Sequence, residues 1–147
     1  MQPWQRAAVI AALCIALHYT LVRAAANRLS DTLGALVLEG TAALGIFLYF
    51  LFAPRSPEPT TMKGVVFAAA SGVCISAASI LIFYALRRGG PVASTGTIVL
   101  GGGVALSAII APFVFGEGFT VRRGIGVALG LAALAVLSTE GSSSPSP

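Results

Sequence analysis

GVVFAAASGVCISAASILIFYAL, residues 64–86, runs for 23 residues without a charged side chain. Crossing a hydrocarbon core of roughly 30 Å takes about 20 apolar residues at a helical rise of about 1.5 Å. In lipid the backbone must satisfy its own hydrogen bonds, so a run of this kind reads as a membrane-spanning helix. Working outward, four more apolar runs appear at 7–26, 33–53, 92–115 and 124–138, the last of them short. The final three runs carry no charge, whereas the first holds Arg23 and the second Glu39.

The whole chain agrees with that stretch. Its 147 residues are 56% hydrophobic and 10% charged, with a mean hydropathy of +0.92. Soluble domains carry about a quarter of their residues as Asp, Glu, Lys or Arg, so this chain lacks the polar surface that water demands. The net charge of +4 comes from nine basic residues that never gather beyond Arg87-Arg88 and Arg122-Arg123. They read as interfacial anchors and give no nucleic-acid footprint. Cys14 and Cys74 lie in apolar runs without a CxxC spacing, which predicts buried thiols rather than a metal site.

Breakers fall between the runs: Asn27 to Asp31, Pro54 to Pro59, Arg87 to Pro91, and Gly116-Glu117-Gly118. No loop could hold a soluble domain. The expectation is one five-helix transmembrane domain over 1–140 and a disordered Gly, Ser and Pro tail over 141–147. Residues 1–26 also have the layout of a cleaved leader, but His18, Tyr19 and Arg23 within the run favour a retained span. Glu117, beside Arg122 and Arg123, reads as an interfacial anchor.

Five spans put the termini on opposite sides, and Lys and Arg should then fix the orientation. Arg6, Arg55, Lys63, Arg122 and Arg123 fall on one side, Arg23, Arg28, Arg87 and Arg88 on the other. Two readings follow from so even a split. Either the chain inserts both ways and opposed copies pair as an antiparallel dimer of ten helices, the plan of inverted-repeat transporters, or one orientation is set by the paired arginines or a partner. The expected fold is an all-α membrane protein of five transmembrane helices that pairs in this antiparallel way.

From Tyr84 to Ala93, then Phe115-Gly116-Glu117, then Gly124 to Gly130, the sequence resembles the EamA-like half of the drug/metabolite transporter superfamily. The spacing of all five helices fits that half. The resemblance implies movement of small metabolites across a membrane, without ATP, by alternating access. Two features depart from it: Gly101-Gly102-Gly103 stands where many relatives carry a Pro, and Glu39 near where relatives often carry a basic residue. Arg23 looks like the Lys that commonly ends the first helix in such proteins.

Glu39 lies six residues past Leu33, or about 9 Å into the membrane at helical rise, where a carboxylate needs a partner or water. If the first two helices form a hairpin about Arg28-Leu29, His18 stands level with it. An acid and an imidazole at one depth could exchange protons. The plainer readings are a fixed polar contact between helices, or Glu39 satisfied by Arg23. On the third helix Gly72, Ser76, Ser79 and Phe83 share one face. Ser76, Ser79, Phe83 and Tyr84 are candidate cavity-lining residues, although small faces also serve close helix packing. Gly126 and Gly130 form a GxxxG contact face, and Gly101 and Gly102 mark a packing site or a hinge in the fourth helix.

One His and one acid deep in a helix leave no Ser-His-acid, paired-carboxylate or zinc-ligand arrangement, so no enzyme activity, cofactor or metal is expected. The expected function is a secondary transporter or exporter of a small metabolite or amphipathic compound in the cell (inner) membrane, with proton coupling or substrate binding at Glu39, His18 and Arg23. The alternatives are a non-transporting membrane subunit or assembly factor, and a lipid-linked sugar flippase. Membrane lipid, a small-molecule substrate and a second copy of the chain are the expected partners.

Overall fold

The computed structural model describes residues 2–53, 60–116, 118 and 120–138. They form five helices: α1 Pro3–Ala26, α2 Asp31–Phe52, α3 Met62–Arg87, α4 Val92–Phe115 and α5 Val121–Ser138. The first four are long and apolar enough to cross a membrane. The fifth has 18 residues and opens on Val121-Arg122-Arg123. The expectations for the Pro54 to Pro59 loop, Glu117 and the tail lie outside the described residues.

All the helices but α4, which follows Pro91, start where a side chain can satisfy the orphan amides of the first turn. Pro3 occupies the first turn of α1, and the Gln2 amide donates to Gln5 Oε1 at 2.7 Å. The hydroxyls of Ser30, Thr61 and Thr120 accept from the amides of Leu33, Gly64 and Arg123 at 3.2–3.3 Å, capping α2, α3 and α5. Gly116 ends α4 in the left-handed conformation at φ 64°, which glycine adopts without a Cβ clash.

The chain divides into two compact units, Met1–Arg88 and Gly89–Pro147. In the first, every buried residue lies toward one end of the three helices. Tyr19, Val22 and Ala26 come from the end of α1, Gly34 and Ala35 from the start of α2, and Ser79, Phe83 and Leu86 from the end of α3. The α1 and α3 sets follow helical spacing, so each of those helices turns one narrow face inward, while α2 contributes the adjacent Gly34 and Ala35. Residues 6–17, 40–52 and 60–77 are exposed throughout, which means that the other halves of these helices do not pack on one another.

That arrangement overturns the expectation of buried thiols. Cys14 and Cys74 are free and exposed, because both sit in the unpacked halves of α1 and α3.

In the second unit α4 takes a π-helical turn over Thr97–Gly101 and contains Pro112. The wider turn runs directly into Gly101-Gly102-Gly103. Where the sequence allows a packing site or a hinge, the helix is continuous but irregular. A Cβ placed on Gly102 would reach Leu134 Cδ1 of α5 at 3.6 Å, an ordinary packing distance. Gly126 and Gly130 have open space before them and, with Gly101, Val104, Ala105 and Val127, surround a gap of about 110 Å³. Within this unit the GxxxG pair therefore faces a gap rather than a close backbone contact.

Candidate functional site

The polar residues of the first unit line up along the antiparallel seam between α2 and α3. At its outer end Arg87 Nη2 meets Asp31 Oδ2 at 2.6 Å. Asp31 stands in the first turn of α2 and Arg87 in the last turn of α3, so each charge also suits the dipole of its own helix. One turn further in, the Phe83 ring lies against Gly34. A Cβ there would come within 2.6 Å of Phe83 Cε1, so only glycine lets the two helices approach as they do. Further still, the Ser79 hydroxyl donates to Glu39 Oε1 at 2.5 Å.

Asp31 and Glu39 are eight residues apart on α2, and so are Ser79 and Arg87 on α3. The two polar pairs thus occupy one seam, separated by about 12 Å at helical rise. Glu39 is half-buried and lines a cavity of about 190 Å³ with Thr32, Ala35, Leu36, Ser76 and Ile80. The walls are aliphatic, with the carboxylate and the threonine and serine hydroxyls as the polar groups. Ser76 also returns its hydroxyl to the Gly72 carbonyl at 3.0 Å.

His18 does not join this group. It lines a second cavity, of about 270 Å³, with Leu21, Val22, Leu38, Thr41 and Phe83, and its ring meets Tyr19 edge-on at 5.4 Å. Equal depth on a hairpin fixes height but not the direction around the helix. Leu38 turns toward the His18 cavity while Glu39, about 100° further round α2, turns toward α3. Nor does Arg23 reach Glu39. Its guanidinium donates to the Leu86 carbonyl in the last turn of α3, which the backbone amide of Arg88 also approaches. Tyr84 lines neither cavity; it is exposed, and the Arg88 guanidinium lies 5.2 Å from the centre of its ring.

The described residues thus form five helices with a half-buried acid on one seam, and comparison with known proteins decides the family. The model of the EamA-like transporter family matches residues 2–139. The chain belongs to that family. No curated protein and no solved structure matches it. Membership makes this EamA-like chain a multi-pass membrane protein of the drug/metabolite transporter type.

Sequence reasoning singled out Glu39 and Ser79 separately but not as partners, and it missed the Asp31–Arg87 pair, Thr32 and Ile80. The eight-residue spacing on both helices was a usable signal. Matching the acid pair on α2 with a donor pair on α3 narrows the α2–α3 register to a few choices, since Lys63, Ser71, Ser79 and Arg87 follow one another at eight-residue intervals.

Proposed function

We propose that this EamA-like chain is a secondary transporter or exporter of a small metabolite or amphipathic compound, working by alternating access, with Glu39 as the group that exchanges a proton or engages the substrate. The observation that carries this reading is the half-buried Glu39 carboxylate on an otherwise aliphatic cavity, held by one serine hydroxyl. An acid at membrane depth is costly and marks a solute or proton path. A fixed helix fastener would not need a cavity beside it.

In this reading α5 is the fifth span, short enough that Arg122 and Arg123 extend to the headgroup region at its start. Two chains meet antiparallel in the cell (inner) membrane, as the even division of basic residues favours.

The test is uptake or efflux of candidate metabolites by proteoliposomes holding the purified chain, with and without a pH gradient. Gradient-driven accumulation supports the reading. Absence of transport across amines, amino acids and amphipathic solutes would favour a non-transporting subunit. Scrambling of lipid-linked sugars in the same vesicles would favour a flippase.

A further inference from the structure

We propose that Asp31, Arg87 and Phe83 form a closed gate over Glu39 at the charged end of the first unit. This rests on reading Glu39 as the transport site, and it assigns positioning residues that control access to that site.

Three observations converge on it. The ion pair, the Phe83–Gly34 contact and the Glu39–Ser79 bond follow one another along a single seam, so anything entering from the charged end meets them in that order. That end faces water, since it gathers Arg23, Arg28, Asp31, Arg87 and Arg88 at the end of α1, the start of α2 and the end of α3. It is also where all the burial of the unit lies, Phe83 being 3% exposed, whereas the halves of the helices beyond Glu39 do not pack on one another. The unit is thus closed on one side of the carboxylate and unpacked on the other, as an alternating-access half requires in one of its two states.

The latch is built to release. Arg87 is 45% exposed, so water competes for its guanidinium. The second Asp31 oxygen, Oδ1, is buried and has no hydrogen-bond partner among the described residues, so the closed pair is only half satisfied. Opening would hydrate that oxygen while Phe83 leaves Gly34. Arg23, bonded to the Leu86 carbonyl, keeps α1 with the end of α3 as the α2–α3 seam parts.

Ala35 lies on the seam between the latch and Glu39 and is 4% exposed, so a cysteine there reports opening. In nanodiscs, with Cys14→Ala and Cys74→Ala as background, the Ala35→Cys chain is labelled with a membrane-impermeant maleimide. Asp31→Asn and Arg87→Gln should each raise the labelling rate about two- to fivefold, the range that an ion pair at a wet rim supports. The double variant, Asp31→Asn with Arg87→Gln, should label no faster than the faster single variant, since all three break one pair. Labelling at the parent rate in both single variants would overturn the gate. So would a double variant whose increase is the product of the two single increases, because each charge would then act alone. Labelling needs no transport, so failure of the Glu39 reading in a transport assay leaves this result separately readable.

Discussion

The Ser79 hydroxyl is bonded to the Glu39 carboxylate across the α2–α3 seam, and no other side chain among the described residues shares that acid's hydrogen bonding. A single neutral donor holds the acid in place without cancelling its charge. An arginine partner would have made it a permanent ion pair; a serine leaves it free to change partners, as the proposed role in proton or substrate exchange requires.

Removal of that donor should therefore be felt in stability. Ser79→Ala leaves a half-buried carboxylate oxygen unsatisfied, at a cost of about 1–3 kcal/mol. Ser79→Thr keeps the hydroxyl and should avoid most of that loss. Thermal unfolding of the purified variants in one detergent measures both.

The close approach of Gly34 and Phe83 makes a second prediction. Gly34→Ala drives a Cβ to 2.6 Å from a ring that is 3% exposed, so the ring must shift out of its packed position. The cost should be about 1–3 kcal/mol, the usual penalty for overpacking. Phe83→Leu on the same chain should recover part of it, which a double-mutant cycle in detergent would reveal as coupling.

How these contacts arise shows where the sequence was legible. Apolar run length set the five helices, because lipid forces a backbone to bond within itself. Depth was legible too, since Glu39 and His18 each count out along a helix. Azimuth was not. One residue's difference around α2 sends Leu38 to one cavity and Glu39 to another. Arg23 escaped prediction for another reason: its acceptor is the backbone carbonyl of Leu86, which no side-chain pattern marks.

That carbonyl bond yields its own prediction. Arg23→Met keeps the apolar stem but removes the charged donor from the Leu86 carbonyl, on a residue with no exposed surface, leaving it only the Arg88 amide. Destabilisation of about 1–3 kcal/mol is expected, with Arg23→Lys intermediate because its ammonium is a smaller, more strongly hydrated donor. Thermal melts of the three proteins in one detergent decide it.

The glycines of α5 should behave in the opposite way. Gly126 and Gly130 face open space, so alanine at either clashes with nothing among the described residues and gains helix propensity. Each change should leave the melting temperature unchanged or raise stability by up to about 1 kcal/mol. A loss of dimer in crosslinking, with the chain's own stability intact, would place a second copy on that face.

Glu39 carries the account, and the direct measurement is solute accumulation by proteoliposomes under an imposed pH gradient, comparing the parent chain with Glu39→Gln. Glutamine keeps the shape and can still accept the bond from Ser79, but it cannot exchange a proton or offer a charge. Gradient-driven accumulation should disappear in the variant while its thermal stability in detergent stays near that of the parent. Undiminished accumulation by a stable Glu39→Gln protein would contradict the account and leave Glu39 as a fastener between α2 and α3.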